Sequence, residues 1–208
     1  MRHVHPPDAR RPPRSQTPSP VIAPDRQEAL LGLARVAVAV ATGQAHVADL
    51  DRALERTPVG DERGAVFVTL TKDGELRGCM GNLGTERSLR EAVLASAIDA
   101  ALDDPRFLPL AADELPAVHI DLSVLGPPTP LAGPDAFEPG VDGVMVERAG
   151  RRGLLLPEVA TTFAWGATQM FDAVCRKAGL PADAWRDPRT RLSSFRTLRF
   201  GGPATGTH

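Results

Sequence analysis

The chain has 208 residues and a mass of 22.1 kDa, a length that suits one domain or one domain with a small lobe. Its 24 basic and 26 acidic residues leave a formal charge of −2, and it contains no Tyr and only two Trp. The charge balance argues against a dedicated nucleic-acid binder, and the scarcity of aromatic residues argues against a base-stacking platform. The two cysteines, Cys79 and Cys175, form no CxxC motif and exclude a disulfide framework.

The sequence contains no recognisable export signal or membrane span. Its longest apolar stretch, residues 29–41, includes Arg35 and is too short to cross a bilayer. The first residues lack the apolar core of a signal peptide. We therefore expect a cytoplasmic protein without a membrane partner, in which both thiols stay reduced.

Composition divides the chain into three parts. Residues 1–24 hold seven prolines, four arginines and one acidic residue, which predicts a disordered leader. This leader is either a basic arm that contacts nucleic acid or a partner, or a dispensable segment. We expect a folded domain over residues 25–200 and a flexible end over residues 201–208.

Capping and turn residues mark several elements of that domain. Asp25 and Ser88 each precede a Glu by three positions, the spacing of a capping box, and Asp73-Gly74 is typical of a hairpin turn. The segregation of helices and hairpins predicts an α+β fold with a mostly antiparallel sheet. The predicted helices and strands are, in chain order, a helix over 25–43, a helix over 47–56, strands over 65–71 and 75–80, a helix over 89–102, strands over 118–124, 143–146 and 153–156, a helix over 167–178 and a strand over 194–200.

One segment, Leu76-Arg-Gly-Cys-Met-Gly81, combines a thiol with a cation and two glycines. On a strand, Arg77 and Cys79 point to the same side, and a guanidinium beside a thiol stabilises the reactive thiolate. Gly78 and Gly81 permit a close backbone approach by a ligand. These residues suggest a nucleophile or a ligand-contacting thiol, although Cys79 as a small buried core residue fits the same pattern.

A second group of candidates lies on the predicted strand 118–124. Asp121 and Ser123 share its polar face with His119, so they could supply a general base and an orienting group, or simply meet water. Arg106 and the pair Arg151-Arg152 are candidate anion contacts, with solvated side chains as the alternative. Phosphate-binding loops and zinc-ligand spacings are absent from the sequence, so we expect no metal site, and the cofactor stays unknown.

Six motifs in order make the chain resemble the AMMECR domain family across about residues 25–200. Within that family it resembles the bacterial branch that belongs to AmmeMemoRadiSam systems. Asp121 stands where the family usually has Glu, which shortens the reach of that carboxylate. The motifs are Leu76-Arg-Gly-Cys-Met-Gly81, Asp104-Pro-Arg-Phe107, Ile120-Asp-Leu-Ser-Val-Leu125, Gly140-Val-Asp-Gly143, Gly153-Leu-Leu-Leu-Pro157 and Cys175-Arg-Lys-Ala-Gly-Leu180.

The resemblance implies an α+β fold with a large lobe, a small lobe and a cleft, near which the segment 76–81 is expected. It also implies an association with a Memo-type protein and a radical-SAM enzyme, but no reaction. Two functions remain open. The first is a thiol-dependent enzyme or enzyme component, with Cys79 as nucleophile, Arg77 as thiolate stabiliser and Asp121 as a catalytic acid or base. The second is a non-catalytic binding or scaffolding partner.

Overall fold

A computed structural model of the chain describes residues 17–57, 63–84 and 86–205. Within them the chain forms two compact units. The larger unit comprises residues 19–126 and 197–205, and the smaller unit comprises residues 127–196 with Thr17 and Pro18. Across both units, the helices of the chain are α1 (Pro24–Ala41), α2 (Val47–Arg56), α3 (Leu89–Leu102), α4 (Pro157–Thr162) and α5 (Ala167–Lys177). Its strands are β1 (Val66–Lys72), β2 (Glu75–Asn82), β3 (Val118–Leu125), β4 (Thr129–Pro130), β5 (Gly143–Arg148), β6 (Arg151–Leu155), β7 (Arg191–Phe195) and β8 (Thr197–Pro203).

The larger unit is an antiparallel sheet of strand order β2-β1-β3-β8, with α1 and α3 packed on it. Alternate residues of β1 and β3 enter one hydrophobic core with residues of both helices. Because side chains alternate along a strand, the intervening residues lie on the opposite face of the sheet. That opposite face carries the residues discussed below as a candidate site.

The smaller unit has its own sheet and its own core. Its strands pair antiparallel in the order β4-β7-β5-β6, and α5 packs on β5 and β6. The core of this unit contains Phe171 and Val174 of α5 with Val144 and Val146 of β5, all with no exposed surface. Helices together with antiparallel sheets confirm the α+β prediction.

Local sequence signals locate several elements correctly. The bounds of α2 and α3 match the prediction, and Ser88 caps α3 in a capping box with Glu91. Asp73 and Gly74 have φ values of 53° and 83°, as a tight turn between β1 and β2 requires. The capping box predicted at Asp25 does not form, because α1 begins one residue earlier with Pro24 in its first turn and Ala23 as N-cap.

The predicted strand over 194–200 is wrong, since the chain forms two strands there. β7 ends at Phe195 and β8 begins at Thr197, and the two strands belong to different sheets. Arg196, between them, is held near the fully buried Asp142, with its Nε 3.5 Å from Oδ1. Because the β-propensity of residues 194–200 is uninterrupted, the sequence does not indicate that the chain changes sheet there.

Both predicted ends of the domain shift. β8 pairs with β3 as far as Pro203, so the flexible end predicted from Gly201 is wrong for residues 201–203. Of the predicted leader, residues 1–16 lie outside the described residues. Thr17 is buried and its hydroxyl hydrogen-bonds the Ser194 hydroxyl at 2.8 Å, and Ile22 is buried in the core of the larger unit. The disorder predicted for residues 17–24 is therefore wrong.

No helix among the described residues is long and apolar enough to cross a membrane.

Candidate functional site

Strand register places two of the candidate residues in one row across the larger sheet, with Thr69 between them. Cys79 on β2 faces Thr69 on β1, and Thr69 faces Asp121 on β3. Neighbouring strands lie about 4.8 Å apart, so Cys79 and Asp121 are separated by roughly 10 Å. Thr69 is therefore the residue that links the thiol to the carboxylate along the sheet.

The two thiols of the chain have different surroundings. Cys79 is half-buried, and the Thr69 hydroxyl donates a hydrogen bond to its Sγ at 3.3 Å. Cys175 has no exposed surface in the smaller unit, and burial raises the pKa of its thiol. Only Cys79 combines partial exposure with a hydroxyl donor to its sulfur.

Asp104 and Arg106 hold the backbone of Cys79. The Asp104 carboxylate, 3% exposed, accepts from the Cys79 N–H at 2.8 Å. Arg106 donates to the same carboxylate through Nε at 2.9 Å and Nη2 at 2.7 Å, and its Nη2 also reaches the Cys79 carbonyl at 3.4 Å. The hydrogen bonds from Arg106, then those from the two backbone N–H groups, hold the pKa of Asp104 well below its usual range.

Arg106 also lies beside the backbone of Cys79, whose carbonyl its Nη2 reaches. Its hydrogen bond to Asp104 raises the pKa of Arg106. The guanidinium lies 5.4 Å from the centre of the Phe107 ring, and the side chain is 54% exposed. The structure thus gives the predicted anion contact Arg106 a place beside Cys79.

Arg77 has different neighbours from those predicted. Leu70 pairs with Gly78 and Thr71 with Leu76, so Arg77 is the extra residue of a β-bulge, and strict alternation does not extend from Cys79 to Arg77. Its guanidinium donates to Glu114 through Nε at 3.1 Å and Nη2 at 2.8 Å, and also reaches two loop carbonyls. The described contacts of Arg77 therefore pin the β1–β2 hairpin and do not include the thiol.

Glu114 is the centre of this second ion-pair cluster. It accepts from Arg77 and from Lys72, whose Nζ lies 3.0 Å from Oε1. The Arg77 hydrogen bonds, followed by the Ala111 N–H and Lys72, lower the pKa of Glu114 to about 2. The carboxylate consequently stays charged throughout the neutral range.

Gly78 and Gly81 are required by packing. A Cβ at Gly78 would lie 2.2 Å from the Ala100 carbonyl oxygen of α3, and one at Gly81 would lie 2.5 Å from the Phe67 ring. Both glycines let β2 approach its neighbours closely, which explains the glycine pattern around Cys79 without a ligand. Their predicted role in binding stays a prediction.

The polar residues of β3 separate into exposed and buried ones. Asp121 accepts from Arg199 at 2.9 Å, and the exposed His119 places its Nε2 3.9 Å from Asp121 Oδ1. Ser123 is 2% exposed. Asp121 thus faces a cationic partner on β8, whereas Ser123 offers little surface to a substrate.

The remaining predicted anion contacts are engaged within the smaller unit. Arg151 donates to the Gly179 carbonyl just after α5, where a positive charge favours a helix C-terminus. Arg152 pairs with Glu147 at 3.2 Å. Among the described residues, no three His, Cys, Asp or Glu side chains gather as metal ligands.

Sequence reasoning missed three residues of this site, namely Thr69, Asp104 and Glu114. Asp104 appears only in the motif that it shares with Arg106, without a role of its own. The position of Thr69 beside Cys79 follows from the pairing of β1 with β2, which the alternation of residues within one strand does not predict. The contact of Glu114 with Arg77 spans 37 residues and has no local signal.

Comparisons with known proteins identify the family. The AMMECR1 family profile matches residues 31–200. A protein of Methanothermobacter thermautotrophicus is 45% identical over 145 residues, which cover 67% of this chain and 76% of that relative. Protein TV1384 of Thermoplasma volcanium is 38% identical over 151 residues, covering 69% of this chain and 75% of the relative. The crystal structure of uncharacterized protein PH0010 from Pyrococcus horikoshii has the same fold, with a TM-score of 0.77 and 33% identity, over 89% of this chain and 96% of that chain. The chain belongs to the AMMECR1 family.

Proposed function

We propose that this protein is a thiol-dependent enzyme or enzyme component in which Cys79 is the nucleophile. The observation that carries the proposal is the hydrogen bond from the Thr69 hydroxyl to the Cys79 sulfur at 3.3 Å. A donor aimed at sulfur favours the thiolate, which is the reactive form of cysteine. Partial exposure gives that sulfur access to a substrate.

The groups around Cys79 suggest a division of roles. Arg106 supplies a positive charge near the thiolate, and Asp104 holds both Arg106 and the Cys79 backbone in place. The thiolate would form a bond to an electrophilic carbon of the substrate while the leaving group departs with the bonding electron pair. In this scheme Arg106 takes the role first assigned to Arg77, which instead anchors the hairpin.

Asp121 acts on the substrate rather than on the thiol. At roughly 10 Å from Cys79, its carboxylate is too far to accept the thiol proton directly. Its place on the same sheet face fits a group that orients or deprotonates a distant part of the same substrate. Arg199, hydrogen-bonded to Asp121 at 2.9 Å, orients that carboxylate.

Alkylation kinetics of a Thr69→Val variant test the proposal. Valine keeps the shape of threonine and removes the hydrogen bond, so we expect Cys79 to react with iodoacetamide about fivefold more slowly at pH 7, the loss of roughly 1 kcal/mol of hydrogen bonding. Thr71→Val is the matched control, since Thr71 lies on the same strand face opposite His119. Equal rates in both variants would argue against a role for Thr69.

The alternative is a non-catalytic partner of a Memo-type protein and a radical-SAM enzyme, as in the bacterial AmmeMemoRadiSam branch. One observation favours it: Arg77 and Arg106 are both engaged by carboxylates of the chain itself. Under this alternative, Cys79→Ser preserves cellular function, and charge reversal on an exposed surface abolishes pull-down of the two partners. Loss of function in Cys79→Ser, with folding and pull-down intact, supports the enzyme.

Both proposals place the protein in the cytoplasm, where reducing conditions keep Cys79 available as a thiol.

A further inference from the structure

The smaller unit carries a cluster of arginines that the thiol site does not use. A hollow of about 210 Å³ is lined by Glu147, Arg148, Ala149, Arg189 and Arg191, at the end of the sheet formed by β5, β6 and β7. We call it the arginine hollow. Three of its five lining residues are arginines, from β5, β7 and the loop before β7.

Positive charge exceeds negative charge around the arginine hollow. Asp187 is shared by Arg148, at 2.9 Å, and Arg189, at 2.7 Å, while Glu147 is paired with Arg152 at 3.2 Å. Arg191 is exposed and faces Glu147 across β5 and β7, and no carboxylate among the described residues lies within ion-pair distance of it. Three arginines line the hollow and the two carboxylates of the cluster are both paired, so positive charge is in excess there.

Two of the three lining arginines, Arg148 and Arg189, are held by Asp187 before any ligand arrives. Arg189 binds Asp187 through both Nε and Nη2, and its backbone N–H donates to the same carboxylate at 2.9 Å. The Thr190 N–H donates to the Asp187 carbonyl at 2.9 Å, which closes the loop. Hydrogen bonds from Arg189 hold the pKa of Asp187 well below its usual range, so these ion pairs persist at neutral pH. Such preorganisation lowers the ordering cost of binding an anion.

We propose that the arginine hollow binds the phosphate group of a small phosphate monoester. Guanidinium groups match the geometry of phosphate oxygens and bind them with paired hydrogen bonds. A phosphate monoester carries close to two negative charges at neutral pH, which complements the excess of positive charge in the cluster. A phosphodiester carries one charge and leaves part of the surplus unmatched. This site is independent of Cys79.

NMR titration of the full chain at constant ionic strength tests this site, with inorganic phosphate as the dianionic probe and dimethyl phosphate as the monoanionic one. We expect phosphate to shift the backbone amide signals of Ala149 and Arg191 in a saturable way, and dimethyl phosphate to bind more weakly. Arg191→Gln should weaken phosphate binding about threefold to fivefold, the effect of losing one exposed ion pair. Arg191→Lys should retain most of the binding, because it keeps the charge.

Arg90→Gln is the control, since Arg90 is an exposed arginine of α3 in the larger unit. Phosphate affinity that is unchanged in Arg191→Gln, or equally reduced in Arg90→Gln, would overturn the site. Equal affinity for phosphate and dimethyl phosphate would overturn the monoester assignment. The monoester assignment would also be overturned if a single-stranded RNA oligonucleotide displaced bound phosphate at a lower concentration than the concentration at which phosphate itself half-saturates the site.

Discussion

At the scale of single residues, the position of Cys79 depends on a carboxylate 25 residues further along the chain. Asp104 accepts one backbone hydrogen bond from Cys79 and two side-chain hydrogen bonds from Arg106. Because its side chain is 3% exposed, water can replace few of these bonds if the charge is lost. The geometry around the thiol is therefore maintained by Asp104 rather than by the neighbours of Cys79 in sequence.

Asp104→Asn tests this dependence. The substitution keeps the volume but removes the charge, so hydrogen bonds to charged partners weaken and the free energy of unfolding should fall by about 2 kcal/mol in urea denaturation. Asp103→Asn, at the exposed neighbouring position, should change it by less than about 0.5 kcal/mol. Equal effects at the two positions would contradict the role assigned to Asp104.

The sequence predicts that Arg77 lies beside Cys79, but the described contacts of Arg77 are with Glu114 and two loop carbonyls. The inference that Arg77 lies beside the thiol assumes regular alternation, which the β-bulge at Arg77 interrupts. A bulge depends on the register between two strands, so it cannot be predicted from the residues of one strand alone. Arg106 reaches the site from a loop 27 residues away, a contact that only the tertiary fold creates.

At the scale of secondary-structure elements, β2 and α3 approach closely at Gly78. A Cβ there would meet the Ala100 carbonyl, which is backbone and cannot rotate away. We expect Gly78→Ala to lower the free energy of unfolding by about 2 kcal/mol or more, the usual cost of overpacking. Gly32→Ala in α1 is the control.

At Gly32 an added Cβ has no heavy atom within 4 Å. Alanine there should stabilise the protein by about 0.5–1 kcal/mol through its higher helix propensity. Thermal and urea unfolding of the two variants compare these effects. A Gly78→Ala variant as stable as the parent protein would show that β2 and α3 are further apart than described.

The ion pairs of Glu114 anchor the β1–β2 hairpin to the segment before β3. The folded-state pKa of Glu114 is about 2, below its ordinary value of 4.5, so this stabilisation is complete above about pH 5 and is lost as the pH falls toward 2. We expect the free energy of unfolding to decrease less between pH 5 and pH 3 in Glu114→Gln than in the parent protein. Glu75→Gln, in the same hairpin, should follow the parent curve, and an unchanged slope in Glu114→Gln would refute the assignment.

The helix capped by Ser88 and the tight turn at Asp73-Gly74 were predictable, whereas the break between β7 and β8 was not. Ser88 and Asp73-Gly74 act within a few residues of the elements that they delimit. The residues around Arg196 have strand propensity on both sides, and the change of sheet follows from pairing with β5 on one side and β3 on the other. Such pairing joins residues that are far apart in the chain, so the residues around Arg196 do not predict it.

At the scale of the whole molecule, the chain builds two units, each with its own sheet and hydrophobic core. The smaller unit is formed mainly by one continuous segment, and the larger unit is completed by the chain that follows it. Length alone is compatible with one domain or with one domain and a small lobe, and does not indicate that β8 returns to β3. The thiol and the arginine hollow belong to different units, so the two proposals can be tested separately.

The rate at which iodoacetamide alkylates Cys79 at pH 7 tests the central claim most directly. Mass spectrometry of the digested protein separates Cys79 from Cys175, which has no exposed surface and serves as an internal control. We predict that Cys79 reacts faster than free cysteine and that Cys175 stays unmodified while the protein is folded. A Cys79 that reacts no faster than free cysteine, or more slowly than Cys175, would contradict the account.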